Sequence, residues 1–197
     1  MFVQVIEGKV ADAAQLRRQL DRWVADLSPG ATGWLGTTAG VAADGRVVAF
    51  ARFESPDAAR ANSDRPEQGE WWSETQGCFD GEVSFSDAED VDQFLAGGSD
   101  DAGFVQVMKG GADRDTLRQM DERFAAVADT FRPDLIGGLR AWVAPDRYVE
   151  VAYFTSEDEA RANEGKEPPP EVAAEMEQFM SLMAGVEFID LSDPWLF

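Results

Sequence analysis

FVQVIEG at residues 2–8 returns as FVQVMKG at residues 104–110, and this recurrence decides the fold. Three further blocks return in the same order, with small changes in spacing: LRRQLDRW at 16–23 as LRQMDERF at 117–124, RFESPDAARAN at 52–62 as YFTSEDEARAN at 153–163, and GEVSF at 81–85 as GVEFI at 185–189. The chain is therefore a tandem duplication of one structural unit.

Each copy predicts the same order of secondary structure. FVQV favours a short strand, and apolar residues then recur at helical spacing behind Asp12, which is suited to be an N-cap. Two strand-like runs joined by Ala-Asp-Gly at 43–45 predict a hairpin. Ser55-Pro56 predicts the start of another helix, and a last strand closes the copy. This β-α-β-β-α-β order is that of a ferredoxin-like unit, so the fold class is α+β.

The duplication also predicts the domain organisation. We expect ferredoxin-like domains at residues 1–88 and 102–197, joined by the acidic, glycine-rich segment 89–101 as a linker. Because each four-stranded sheet carries helices on one face only, we expect the two sheets to cover each other as an intramolecular pseudo-dimer. Residues 93–95 and 194–197 follow the last strands of the two copies, and we expect them to pair with the opposite copy.

The charge balance excludes several classes of partner. The chain has 38 acidic and 17 basic residues, which gives a formal net charge of −21. Phosphates would be repelled, so we expect neither nucleic acid nor an anionic membrane surface as a partner. Mutual repulsion between chains, together with sheets covered internally, predicts a monomer.

The residues that the chain lacks narrow the chemistry further. It contains no histidine, which excludes Ser-His-Asp and Cys-His catalysis and histidine-ligated haem, and Cys78 is its only cysteine. We expect no metal and no cofactor. A general base would have to be Asp, Glu, Lys, Cys, Tyr or the substrate itself. With no apolar run near 18 residues and no signal-peptide pattern at the start, a cytoplasmic protein is expected.

The segment DAARANSDRPEQGEWW, together with the third strand ending in FES, resembles the antibiotic biosynthesis monooxygenase (ABM) family of the dimeric α/β barrel superfamily. The resemblance covers both copies. It implies a dimeric α/β barrel built within one chain and a possible cofactor-independent monooxygenase that acts on an aromatic, polyketide-like small molecule. Many members have no known activity, so a non-catalytic small-molecule-binding or structural protein is the alternative. Whether the chain is an enzyme stays open.

The resemblance also points to candidate site residues, because family members hold a substrate anion through Asn, Trp, Tyr or Arg side chains. It implies Asn62, Arg52 and Trp71 as catalytic candidates. The substrate-binding candidates are Trp72, Gln4, Trp34, Asn163 and Tyr153. The first copy is the expected binder because its tryptophan pair does not return in the second copy.

Each candidate also has a structural interpretation. Asn62 and Asn163 could end their helices in the left-handed conformation, and Arg52 could be a solvated strand end. Gln4 could hydrogen-bond across the domains with its counterpart Gln106, and Trp34 could pack in the core. When Gly81 is aligned with Gly185, Trp72 matches Met176 on an apolar helical stripe with Val172, which favours the core, whereas Trp71 matches the charged Glu175. A tryptophan at such a position could line a cleft or form a contact with a partner.

Overall fold

The computed structural model describes residues 1–170 and 173–197, without the side chains of residues 174, 175 and 178. Val172 of the predicted stripe thus lies outside the described residues. The chain divides into two compact units. Unit 1 comprises residues 1–90 with 194–197, and unit 2 comprises residues 91–193. Among the described residues, no helix has the length and apolar character that crossing a membrane requires.

The first copy forms the predicted elements in the predicted order. In its helices, α1 continues into a π-helical turn and then a 3-10 turn, and α3 is followed by a short 3-10 turn. The elements are β1 (Phe2–Lys9), α1 (Ala13–Arg22) with its turns Trp23–Leu27 and Ser28–Gly30, β2 (Trp34–Val41), β3 (Arg46–Phe53), α2 (Pro56–Ser63), α3 (Pro66–Thr75) with Gln76–Cys78, and β4 (Ser84–Ala88).

The rest of the chain repeats this order with one strand added before it and one after it. The elements are β5 (Val91–Leu95), β6 (Phe104–Gly111), α4 (Arg114–Ala125), α5 (Ala128–Phe131), β7 (Leu135–Ala144), β8 (Arg147–Phe154), α6 (Glu157–Glu164), α7 (Ala173–Met183), β9 (Glu187–Leu191) and β10 (Trp195–Leu196). Strand β5 lies inside the segment 89–101 that the sequence assigned to a linker.

Each unit contains one five-stranded antiparallel sheet. The strand order is β10-β2-β3-β1-β4 in unit 1 and β5-β7-β8-β6-β9 in unit 2. Without its outermost added strand, each sheet has the strand order of a ferredoxin-like unit, so the predicted α+β class with two such units in tandem is confirmed. The added strands come from the opposite copies, because β5 follows copy one and pairs with β7, and β10 follows copy two and pairs with β2. The predicted strand exchange is therefore confirmed.

Local sequence signals begin the helices as predicted. Asp12 Oδ1 accepts a hydrogen bond from Gln15 N at 3.0 Å. Ser55 Oγ accepts one from Ala58 N at 3.1 Å, with Pro56 at the first helical position. Ser156 Oγ does the same for Glu159 N at 3.3 Å. These bonds engage amide groups that the first helical turn leaves without a partner.

The pairing of the last strands corrects one alignment. Phe85 lies opposite Ile6, and Phe188 lies opposite Met108, so equivalent residues of β4 and β9 differ by 188 − 85 = 103. The match of Gly81 to Gly185 implies 104 and is wrong by one position. The match of Trp71 to Glu175, which depended on it, therefore loses its basis.

Candidate functional site

Unit 1 contains a cavity of about 100 Å³ between the inner face of its sheet and its helices. Three tryptophans, Trp23, Trp34 and Trp71, form much of its wall, and the other wall residues are aliphatic, phenylalanine, hydroxyl or amide side chains. None of the side chains that line it is ionisable. The side chains of Gln4, Asn62 and Gln68 supply the amide groups.

The three tryptophans form one cluster. The ring centroids of Trp23 and Trp34 are 5.0 Å apart in an edge-on arrangement, and those of Trp23 and Trp71 are 6.3 Å apart. Every indole N–H already has an acceptor: Trp23 donates to Gln68 Oε1 at 2.6 Å, Trp34 to Thr37 Oγ1 at 3.0 Å, and Trp71 to the Gln19 carbonyl at 2.9 Å. The cluster therefore offers rings to a ligand rather than N–H donors.

Asn62 lies in the last turn of α2 and lines the cavity, with 7% of its surface exposed. Its Oδ1 accepts a hydrogen bond from Arg65 Nη1 at 3.0 Å, which fixes the orientation of the amide. No hydrogen bond within the described part of the chain engages its Nδ2. The left-handed cap that the sequence allowed for Asn62 and Asn163 is wrong, because Leu95 is the non-glycine residue with positive φ among those described.

Gln4 and Gln106 use their amides in the same way. Gln4 Nε2 donates to Asp87 Oδ1 at 2.9 Å, and Gln106 Nε2 donates to Asp190 Oδ1 at 2.9 Å. Each glutamine thus forms a hydrogen bond within its own unit, because a carboxylate lies directly opposite on the neighbouring strand. Gln4 also lines the cavity.

Arg52 and Tyr153 occupy equivalent positions that face away from the amides. Arg52 lies opposite Val3, and Tyr153 lies opposite Val105, each one residue from the glutamine of its unit. Since neighbouring strand residues point to opposite faces, Arg52 is on the other face of the sheet from Gln4 and is not among the cavity residues. The sequence could not show this because the face depends on the pairing register.

The two adjacent tryptophans take different positions in unit 1. Trp71, which the sequence allowed to line a cleft, is buried and lines the cavity. Trp72, for which the alignment favoured the core, is half-buried and packs against Phe79 and Phe85, at 6.1 and 5.3 Å between centroids. Consecutive helical residues point in different directions, so an error of one position in the alignment moves the assignment from one tryptophan to the other.

Unit 2 carries charged residues where the cavity of unit 1 is apolar. The repeat and the strand registers place Asp121, Arg140 and Glu150 at the positions of Leu20, Ala39 and Ala49. Leu20 and Ala49 line the cavity, and Ala39 lies opposite Ala49 on the adjacent strand. Of the three pairs, only Leu20 and Asp121 lie in the repeated sequence blocks, and the hydrogen bonds show that the charged residues meet.

These residues form a buried ion cluster in unit 2. Arg140 donates from Nε to Glu150 Oε2 at 2.6 Å, and from Nη1 and Nη2 to the two Asp121 oxygens at 2.7 and 3.2 Å. Desolvation lowers the pKa of Arg140, but attraction by Glu150 and Asp121 outweighs it and the pKa is raised. Desolvation raises the pKa of Glu150 against the opposing effect of Arg140. Ion pairs therefore fill, in unit 2, the place that apolar side chains take in unit 1.

Two further side chains complete the contrast. The ring of Phe94 lies directly on Gly138 and takes the space of a side chain at the position equivalent to Thr37. Asn163, the counterpart of Asn62, donates from Nδ2 to the Glu159 carbonyl at 2.8 Å. Its amide N–H is thus engaged within its own helix.

Sequence reasoning missed three contributors to the site. The helical spacing of Leu16, Leu20 and Trp23 predicted a core position for Trp23, and nothing marked Gln68 or Arg65. Trp23 begins the π-helical turn Trp23–Leu27 and lines the cavity together with Leu20, three residues before it. Arg65 could have been noticed because the equivalent residue of the second copy is Lys166.

Comparison with known proteins supports the fold. A scan against models of protein families found no match, and a search of curated proteins found none. Among solved structures, the chain matches a candidate monooxygenase from Fusobacterium nucleatum subsp. nucleatum ATCC 25586 at 10% identity and a TM-score of 0.73, over 96% of this chain and 90% of that one. A candidate monooxygenase from Lactobacillus acidophilus NCFM matches at 11% identity and a TM-score of 0.70, over 100% and 98%. An anthrone oxidase-like protein matches at 12% identity and 0.63, over 99% and 93%. At these identities the likeness establishes a shared fold, with two ferredoxin-like units in tandem.

Proposed function

We propose that unit 1 binds a small, planar, uncharged aromatic molecule in its cavity. The observation that carries this proposal is a cavity walled by three tryptophans without one ionisable side chain in its lining. A charged ligand would lose its hydration there without a compensating charge, whereas an aromatic ring would contact the ring faces and edges that the cluster presents.

The volume favours a single ring. Sites for drug-sized ligands enclose roughly 300–1,000 Å³, whereas an apolar cavity of about 150 Å³ accommodates benzene. A cavity of about 100 Å³ is thus closer in size to one ring than to a fused polyketide skeleton.

Asn62 is the polar group best placed to orient such a ligand. Its Nδ2 faces no acceptor among the described residues, because Arg65 holds the carbonyl side of the amide. A carbonyl or phenolic oxygen on the ligand would accept this hydrogen bond, which contributes about 0.5–1.5 kcal/mol in a typical case.

Cofactor-independent oxygenation is the second candidate function, favoured by the fold shared with candidate monooxygenases. The balanced reaction would convert a phenol and O₂ into a quinone and water, so the ring supplies all the electrons and no external reductant is consumed. Because no side chain in the lining is ionisable, the phenol would have to lose its proton to solvent before reacting. Binding without chemistry is the alternative, and the same cavity would serve it.

Titration calorimetry with phenol tests the binding proposal. We expect one phenol per chain, and we expect Ala51→Leu, which fills the cavity from β3, to abolish binding. The control is Ala61→Leu on the exposed side of α2, which should bind as the unaltered chain does. No heat from the unaltered chain, or equal binding by both variants, would contradict the proposal.

Oxygen uptake separates the two candidates. Phenol-dependent uptake of O₂ with quinone formation, absent in Ala51→Leu, would support oxygenation, and phenol binding without uptake would support a binding protein. Mass spectrometry of molecules that copurify with the chain would identify the natural ligand class.

We also propose that the chain works as a monomer. A net charge of −21 opposes association at low salt. Light scattering should therefore give a mass near 21.6 kDa, and a stable dimer would contradict this proposal.

A further inference from the structure

Arg65 joins three parts of unit 1 beside the cavity. Its Nη1 donates to Asn62 Oδ1 and to the Leu27 carbonyl, each at 3.0 Å. Its Nε donates to Glu67 Oε1, also at 3.0 Å. One guanidinium thus ties the end of the π-helical turn, the last turn of α2 and the first turn of α3.

The space for this guanidinium is reserved by Gly30. A Cβ atom at residue 30 would lie 2.7 Å from Arg65 Nη2, which is closer than such atoms approach. The Arg65 side chain is 17% exposed, so its bonds to Asn62 and Leu27 are shielded from most of the solvent. A planar group with several N–H donors suits this position because it reaches all three acceptors at once.

The second copy shows what happens without this guanidinium. Lys166 stands at the equivalent position, and no described hydrogen bond joins its side chain to Asn163. There the amide of Asn163 turns its Nδ2 to the Glu159 carbonyl. Asn62 and Asn163 are both buried. The Nδ2 group of Asn163 is bonded within its helix, whereas that of Asn62 has no partner among the described residues, and this difference accompanies the change from Lys166 to Arg65.

We infer that Arg65 is a positioning residue that turns the N–H side of Asn62 toward the ligand and thereby selects ligands with an oxygen acceptor. By holding Oδ1, Arg65 leaves Nδ2 as the group available to the cavity. An aromatic ligand with a carbonyl or phenolic oxygen gains a hydrogen bond, and a hydrocarbon of the same shape leaves a buried N–H without a partner. This inference rests on the proposed binding function.

A matched pair of probes tests the inference. Acetophenone and α-methylstyrene have nearly the same shape, but only acetophenone has an oxygen acceptor. We expect the unaltered chain to bind acetophenone about 2- to 10-fold more tightly, as one hydrogen bond would give. In Arg65→Met both probes should still bind and the preference should fall to about 1-fold, because the amide of Asn62 is no longer held.

The controls separate this role from a loss of structure. Arg60→Met changes an exposed arginine of α2, the helix that carries Asn62, and should keep the full preference. If Arg65→Met does not fold, Arg65→Gln, which keeps one donor, should show a reduced preference by the same calorimetry. A full preference in either Arg65 variant, or equal binding of the two probes by the unaltered chain, would overturn the inference alone. Failure of the unaltered chain to bind either probe would overturn the proposed function as well.

Discussion

The two units have equivalent strands and helices, but the space between sheet and helices differs. In unit 1 this space holds an apolar cavity, and in unit 2 it holds a buried ion cluster. Both keep the Gln–Asp hydrogen bond between neighbouring strands, at 2.9 Å in each unit. Between the sheet and the helices, unit 1 has Leu20 and Ala49 beside a cavity, whereas unit 2 has Asp121 and Glu150 bound to Arg140. The two units thus share a backbone arrangement but differ in the side chains at three equivalent positions, which are charged in unit 2 and apolar in unit 1.

Neither solution is the one that maximises stability. An open cavity forfeits packing, and a buried ion cluster loses hydration that its mutual attraction only partly offsets. A well-packed apolar filling would serve stability better in either unit. We therefore attribute the cavity of unit 1 to ligand binding. In unit 2 the three charged residues depend on one another, so a change at one of them requires a change at the other two.

The largest expected effect comes from breaking the cluster of unit 2. Arg140 is 2% exposed, and Arg140→Met would leave Glu150 buried beside Asp121 without a positive charge. Removal of one partner from a buried ion pair destabilises a protein by about 3–5 kcal/mol. Urea unfolding should show this loss, and Arg60→Met in unit 1 should change stability by less than about 1 kcal/mol because its ion pair is exposed.

Replacing the whole cluster provides the control for that prediction. The triple variant Asp121→Leu, Arg140→Ala and Glu150→Ala gives unit 2 the side chains of unit 1 at these positions. We expect it to be more stable than Arg140→Met alone, because no charge remains buried without a partner. A triple variant as unstable as the single one would show that the arginine acts by something other than its charge.

A smaller effect is expected at alkaline pH, and it belongs to unit 2 alone. Both tyrosines of the chain lie there, and unit 1 has Val47 at the position of Tyr148. Desolvation, with a contribution from Glu150, raises the pKa of Tyr148 to about 12. Its contribution to stability is therefore complete below its ordinary value near 10 and is lost as the pH rises through 12, at about 1.4 kcal/mol per pH unit.

Unfolding measured between pH 9 and 12 checks this prediction. Tyr148→Phe should reduce the alkaline loss by roughly 2–3 kcal/mol relative to the unaltered chain. Equal slopes in the two proteins would mean that Tyr148 ionises as freely in the folded state as in the unfolded state.

The smallest effect concerns the two asparagines. Asn62→Ala should weaken phenol binding about 2- to 10-fold, because one hydrogen bond to the ligand is lost. Asn163→Ala should leave the affinity unchanged, since its amide is bonded within α6 and lies in the other unit. Equal losses from both changes, seen by titration calorimetry, would show that the ligand does not depend on Asn62 more than on Asn163.

Much of the fold could be predicted from the sequence, because local signals and the repeat agreed. Asp12 and Ser55 cap their helices as expected, and residues 93–95 and 194–197 exchange strands as expected. The site was harder because it depends on which face a side chain takes. Arg52 is next to Ala51 on β3, but its side chain points to the opposite face of the sheet from the cavity. The ion cluster joins residues about 20 and 10 positions apart, and no local pattern shows that they meet.

A crystal structure determined under xenon pressure tests directly whether unit 1 has an apolar cavity where unit 2 is filled by charged residues. Xenon is a suitable probe because it enters apolar cavities without needing a hydrogen bond. We expect a xenon atom among Trp23, Trp34 and Trp71 of unit 1, and none at the equivalent position beside Arg140 and Glu150 of unit 2. A xenon atom beside Arg140, or no xenon among the three tryptophans, would show that the two units do not differ in this way.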